Sequence, residues 1–353
     1  MSLARSTDLS SSFGVEQEHF IFRDGLPPSR SDVESLFLHL SRFGYVAKHD
    51  ATGSLRGAAK KTRFGSVAVM PDFCTHILEL VFPPLRSFDE FYVLYEQSLG
   101  EVQAALTALG MSIVYGGSLP NVPVSSEIFY SSPAAQDRGA LFVDRILPSA
   151  PFANRLFFAA MAATQVHIAT VDRPAQLLPV LYRFEYLIPL MFCTESIFAG
   201  RRALCARSLM YRDGFDERFW PAAYPAPVAR SIAEYDRLLA SSTPQLKDYS
   251  LIALRKHGLE FRSACSQETV GRIIELVAMR FLMLASANTP SAGASNRREY
   301  YELCERGDRD EAMVDDLLSV LQAGRAALPK KLDPHLDSAI ARLGTDGRVS
   351  MLQ

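Results

Sequence analysis

The chain has 353 residues, 48% of them hydrophobic and 22% charged, with a formal charge of -2 at neutral pH. That profile describes a folded globular protein long enough for one large core or two modest ones, and it excludes disorder over most of the length. The near-neutral charge gives no general attraction to a nucleic-acid backbone or an anionic membrane, so partners are sought among small molecules.

No apolar run approaches the roughly 20 residues of a membrane span, and the Ser-rich start has no apolar signal core, so the cytoplasm is the expected location. The five cysteines (Cys74, Cys193, Cys205, Cys265, Cys304) are odd in number and form no CxxC pair. Neither a disulfide framework nor a structural zinc site is expected from that spacing, and reduced, buried thiols are the simpler reading.

In chain order, residues 1–12 read as a disordered leader, and FGVEQEHFIF (13–22) reads as a strand. A helix follows from Ser31 to Phe43, opened by a Ser31/Glu34 capping box and closed by Gly44. The stretch from Tyr45 to Phe82 is β-rich, with a turn at Thr52-Gly53-Ser54 and a second clear strand in HILELVF. Ser87 and Glu90 form another capping box, before a helix whose stripe runs through Phe88, Phe91, Tyr95, Leu99, Val102, Leu106 and Leu109. Gly110 ends it and MSIVYGG continues as a strand.

Residues 121–148 read as a long loop. TQVHIAT (164–170) is a strand, and Asp172 with Pro174 opens a long apolar helix reaching about Ala199, kinked or split at Pro179 and Pro189. An Arg-rich irregular stretch covers 200–224, a helix 226–240, and a hairpin joins LIALR to LEFRSA through Lys256-His257-Gly258. Helices fill the remainder, with about 330–353 loosely held. No repeat or linker divides the chain, so a single α+β domain over residues 1–353 is expected.

Four of these strands share an anomaly: charged or titratable residues sit at period-two positions among apolar neighbours, on faces that are ordinarily buried. Glu16 and Glu18 share a face with Phe20 and Phe22, Glu79 with Ile77 and Val81, Gln165 with His167, and Glu260 with Arg262. Taken singly, each has an ordinary explanation: a solvated acid on an edge strand, a hydrogen-bonded structural histidine, an Arg–Glu pair. Taken together, hard oxygen donors on several strands suit Mg²⁺ or Mn²⁺, with an imidazole as a minority ligand, better than zinc.

These segments resemble the glutamate–cysteine ligases and the broader carboxylate-amine ligases related to them. GVEQEHF resembles that family's G-x-E-x-E-F first strand, and Asp72-Phe73 through Leu78-Glu79, with Pro83-Pro84 after it, resembles its D-F-x(4)-L-E segment. TQVHIAT is similar to its Q-V-H strand, LEFR to its late E-x-R strand, and CTESIFAGRR to the segment preceding a functional Arg. The resemblance implies a glutamine synthetase-like fold, with a curved, mainly antiparallel sheet of six or more strands flanked by helices. ATP and magnesium (or manganese) would lie over its hollow face.

Carried over, it makes Glu16, Glu18, Asp72, Glu79, His167 and Glu260 metal ligands, and places Arg262 on the transferred phosphate, with Glu18 and Arg262 catalytic. Gln165, Arg202 and Arg207 become substrate or nucleotide contacts. Three departures stand against the pattern: Phe82 replaces a Thr, Arg201-Arg202-Ala203 replaces D-T-G, and Cys265 replaces an acid. The first two point away from cysteine as the acceptor and toward a specialised ligase.

The reaction implied by the resemblance activates a carboxylate, with glutamate as the expected donor, as an acyl phosphate, and an amine then attacks it, giving an amide, in the glutamate case γ-glutamyl. There is no P-loop, and the basic run Lys60, Lys61, Arg63 is more readily a solvated turn than a phosphate site. Three other readings remain: a metal-dependent hydrolase or transferase working without ATP, a silent relative acting as a binding protein, and a Cys74–His76 nucleophile on one strand face. A homodimer is left open.

Overall fold

In the computed structural model the described residues are 9, 11–72, 74–119, 160–169, 174–198, 201–213, 231, 233–235, 237, 250–255, 258–287 and 297–344. Strand β1 (Phe13–Arg23) organises the architecture. Its alternation divides the sheet: Val15 and Ile21 join the main core, while Phe20 and Phe22 form a small cluster with Cys74, Ile77 and Ala162 on the other face. That second face is the one carrying Glu16 and Glu18.

Helix α1 (Arg30–His39) continues as a 3₁₀ turn at Leu40–Phe43 and stops at Gly44, whose φ of 85° is left-handed. The capping box differs from the expected one: Ser29 caps the helix and Asp32 reciprocates. Two prolines fix an extended backbone just before Ser29, so the helix starts two residues earlier than Ser31.

The strands β2 (Val46–His49), β3 (Leu55–Thr62), β4 (Gly65–Pro71) and β5 (Ile77–Val81) form a meander ending beside β1. Helix α2 (Phe88–Ala108), capped by Ser87, buries the anticipated stripe from Phe88 to Leu106. Strand β6 (Met111–Val114) then pairs with the last part of β1. Strand β7 (Thr164–Ala169) pairs with its first part, and the hairpin β10 (Ile252–Arg255) and β11 (Gly258–Phe261) adds beyond β7. The result is a nine-stranded sheet in the order β10-β11-β7-β1-β5-β4-β3-β2, with β6 beside β1, and every pairing is antiparallel. This is an α+β fold with a mainly antiparallel sheet flanked by helices.

The long helix expected over 172–199 is shorter and divided. Helix α3 (Pro174–Phe184) contains Pro179, a turn at Glu185-Tyr186 breaks the run, and α4 (Leu187–Phe192) ends at Cys193. Ser196–Phe198 is strand β8, paired with β9 (Arg201–Ala203), and helix α5 spans Ala206–Asp213, so this part of the Arg-rich stretch is ordered. The break at Glu185 frees its carboxylate to meet Arg280 and Ser263 in the interior, an interaction that local periodicity cannot register.

Helix α6 (Val270–Ser286) is buried almost all round, as expected for a helix enclosed by others, and α2, α8 (Glu311–Arg325) and α9 (Asp333–Gly344) pack on it. Helix α7 (Arg297–Arg306) packs on α5. The segment after 330 is therefore not loose as far as residue 344, since Leu336, Ala339 and Leu343 are buried. Within the leader, Leu9 is buried and its N–H bonds Arg86 O. The 121–148 loop, most of the 226–240 helix, the hairpin turn at 256–257 and the final residues 345–353 lie outside the described residues.

Candidate active site

Register decides which side chains meet. Glu18 on β1 is the direct partner of Glu79 on β5, Glu16 pairs with Gln165 on β7, and His167 pairs with Glu260 on β11. Four neighbouring strands therefore present one diagonal of polar groups on a single face. Glu16 and His167, with side chains 25% and 33% exposed, form the rim, while Glu18, Glu79 and Glu260 lie deeper and are buried.

At the rim, Glu16 Oε1 lies 3.0 Å from His167 Nε2. One donor atom from each of Glu16, His167 and Glu260 falls within 4.8 Å of the others, a spacing that suits a shared cation. Deeper in, Glu18 accepts from Gln165 Nε2 at 2.8 Å and from the Ala163 amide at 2.7 Å. The oxygen of the same Gln165 amide, Oε1, is buried without a hydrogen-bond partner.

The electrostatics follow from depth and crowding. Burial pushes the Asp72 carboxyl up to about 8, Glu18 adding to the effect and Arg207 and Arg262 opposing it. Glu79 is pushed well above the carboxylate range by burial and by the charges of Glu16, Asp72 and Glu18, and its protonated form hydrogen-bonds Glu16. Burial also raises Glu18, against Arg207 and the hydrogen bonds from Gln165 and Ala163. Burial works the same way on Glu16 and Glu260, but the hydrogen bonds and charges of their neighbours outweigh it. His167 holds Glu16 low, and Arg262 with Arg255 draws Glu260 down to about 2.

These are carboxylates gathered at a desolvation penalty and only partly compensated, the situation a divalent cation relieves. The donor set fits Mg²⁺ or Mn²⁺: carboxylate oxygens, one imidazole and an unpartnered amide oxygen.

All six carboxylate and imidazole positions are brought together, and so are two of the three arginines. Arg262 donates to Glu260 and acts on Glu18 and Asp72. Arg207, near the start of α5 and buried, donates to Arg262 O at 2.8 Å and faces the same two acids. Arg202 is not gathered in the same way: it stands on the β8–β9 ribbon with its side chain 70% exposed, 3.9 Å from Glu195. Leu204 and Cys205 join that ribbon to α5, and nearness in sequence to Arg207 did not carry Arg202 inward.

Arg255 was missed. It lies at the same hairpin end as Glu260, on the same face, and donates to its other oxygen. Period-two alternation across the hairpin carried that signal. The supporting layer on the opposite face of β1 was also missed: Gln17 accepts from Thr164 at 2.6 Å and donates to Ser266 at 2.7 Å, tying β1 to β7 and to the segment after β11.

Other expectations are corrected or settled. Cys74 and His76 stand in the turn before β5 rather than on a strand face, and burial pushes the Cys74 thiol well above its ordinary range, opposite to what a nucleophile requires. Lys60 pairs with Glu101 at 2.6 Å and Arg63 stacks on Phe64, so the basic run is structural. Phe82 packs edge-on against Phe91 at 5.3 Å and also lines a cavity of about 380 Å³ with Glu16, His167, Arg255, Ile168 and Leu259. The five cysteines are free and buried, as expected, and three of them, Cys193, Cys205 and Cys265, converge although no spacing motif joins them.

No family model matches the sequence, and no curated protein matches it. Solved structures do. A glutamate–cysteine ligase from Francisella tularensis in complex with AMP superimposes with a TM-score of 0.60 at 11% identity, covering 96% of this chain and 82% of that one. The ligase PafA, in complex with the prokaryotic ubiquitin-like protein Pup, gives 0.51 at 9% identity over 96% of this chain and 64% of its own. A bifunctional glutathione synthetase from Pasteurella multocida gives 0.49 at 13% identity, and this chain spans 50% of its length. The first two show that the chain shares their fold.

Among the described residues, no helix is long and apolar enough to cross a membrane.

Proposed function

We propose that this protein is an ATP- and divalent-cation-dependent ligase that joins a carboxylate to an amine, with glutamate's γ-carboxylate as the expected donor. The observation that carries the reading is the convergence of Glu16, Glu18, Asp72, Glu79, His167 and Glu260 with Arg207 and Arg262 on one sheet face. The glutamate–cysteine ligase and PafA, which share the fold, are both named as ligases, which adds support. Because β1, β7 and β11 come from distant parts of the chain, the catalytic unit is one domain.

Glu16, His167 and Glu260 would hold a cation at the rim, and Glu18, Glu79 and Asp72 would hold one deeper; bound there, the cations would neutralise phosphate charge. The protein's own groups do the rest. Arg262, braced by Glu260 and by the Arg207 bond to its carbonyl, keeps a fixed positive charge where charge develops during phosphoryl transfer. Gln165 and the Ala163 amide fix the Glu18 carboxylate so that its orientation need not be reorganised in each turnover. The largely apolar cavity beside Glu16 and His167 suits a nucleotide base.

The test is a screen of carboxylates and amines with ATP and Mg²⁺, following ADP and coupled product by mass spectrometry. ADP release that requires both a carboxylate and an amine is expected. Turnover without nucleotide, or ATP consumption indifferent to the amine, would sink the ligase reading.

A further inference from the structure

Four of the five cysteines come from separate elements and meet in the interior. Cys193 ends α4, Cys205 precedes α5, Cys265 follows β11, and Cys304 lies on α7. All four are buried. One sulfur from each of Cys193, Cys205 and Cys265 lies within 4.8 Å of the other two, and Cys193 Sγ is 3.2 Å from Cys205 Sγ. Cys304 faces Cys205 from α7, and its carbonyl accepts from the Leu204 and Cys205 amides at 2.8 and 3.1 Å.

A buried thiol taken singly is a small apolar group. Convergence on a common centre is different. A tetrahedral zinc–thiolate centre has Zn–S bonds of about 2.3 Å and hence S–S edges of about 3.8 Å, within the 4.8 Å that spans the sulfurs of Cys193, Cys205 and Cys265. A disulfide would require about 2.05 Å, and the thiols are unbonded. The walls are tight, since a Cβ on Gly117 would fall 2.7 Å from Cys265 Sγ. Arg272, which donates to Met191 O, places a positive charge near Cys193.

We propose that Cys193, Cys205 and Cys265, whose sulfurs already converge, form a structural zinc site distinct from the carboxylate site that suits Mg²⁺, with Cys304, which lies against Cys205, closing on the metal as the fourth ligand. Soft sulfur donors select zinc over magnesium or manganese. On binding, each ligating thiol gives up its proton to solvent as a Zn–S bond forms, so the metal's binding energy becomes folding energy. The centre would clamp the back of the candidate active site. Arg207 lies two residues beyond Cys205, and Cys265 bridges to Ala163, whose amide holds Glu18.

The full chain is purified under reducing conditions without chelators, its zinc measured by mass spectrometry of the elements, and the metal-free protein titrated with Co²⁺. About one zinc per chain and intense sulfur-to-cobalt charge-transfer absorption are expected. Both are lost in Cys205→Ser and kept in Cys74→Ser, whose thiol lies outside the cluster. Cobalt bound only at the carboxylates would show no such absorption, so the outcome does not depend on ligase turnover. If Cys205→Ser fails to fold, the wild-type cobalt spectrum decides alone. A folded, reduced wild-type chain that binds neither metal through sulfur, or a native chain lighter by one pair of hydrogens because Cys193 and Cys205 are oxidised to a disulfide, overturns the proposal.

Discussion

Glu18 and Glu79 are direct cross-strand partners on β1 and β5, and both are buried. Like charges directly opposite on a sheet destabilise it, and burial adds to the penalty. Replacing Glu79 with Gln keeps the shape and removes the conflict. Glu79→Gln is expected to stabilise the metal-free protein by about 1 kcal/mol while weakening magnesium-dependent stabilisation. Thermal melting with and without Mg²⁺ measures both, and a variant that melts lower in both conditions would show that the acid is structural.

The same crowding gives stability a pH dependence with a definite sign. Asp72 titrates near 8 when folded against an ordinary 3.8, and Glu79 is raised likewise, so the folded protein binds more protons than the unfolded chain between those values. Their contribution is complete below about pH 4 and is lost as pH rises through about 8. Glu260 runs the opposite way: with a folded value of about 2 against 4.5, its contribution is present above pH 4.5 and lost toward pH 2. Denaturant titrations of the metal-free protein should fall between pH 5 and 8, and Mg²⁺ should flatten that slope.

Arg280 and Glu185 form a fully buried ion pair, with Ser263 bridging both. Removing one partner leaves an uncompensated charge in the interior, so Arg280→Met is expected to lose about 3–5 kcal/mol. Urea unfolding checks this. The double change Arg280→Met with Glu185→Leu should recover much of the loss.

At Gly258, a Cβ would lie 1.9 Å from Ile168 O, where β11 closes on β7. Gly258→Ala must push the strands apart and displace Glu260 from His167. A loss of about 1–3 kcal/mol is expected, together with weaker Mg²⁺ binding by calorimetry. Unchanged binding would show that Glu260 is not needed for the cation.

Arg262→Ala should lower kcat by about 10²–10³-fold with little change in KM if the residue acts on developing charge. Stability should fall less than for Arg280→Met, because Arg255 still pairs with Glu260. Steady-state kinetics on the acceptor found by the screen provides the readout.

Local periodicity settled much of this protein in advance. Alternation in FGVEQEHFIF, HILELVF, TQVHIAT and LEFR identified the polar faces, and the stripe of α2 identified its buried side, because strand and helix geometry depend only on near neighbours. What sequence could not supply was register and convergence. Glu18 meets the Ala163 amide across 145 residues, Glu185 meets Arg280 across 95, and Cys193, Cys205 and Cys265 gather although no spacing motif joins them. Such meetings depend on which strands become neighbours and where a helix breaks, and those choices are made by burial of the whole core rather than by any short stretch of chain.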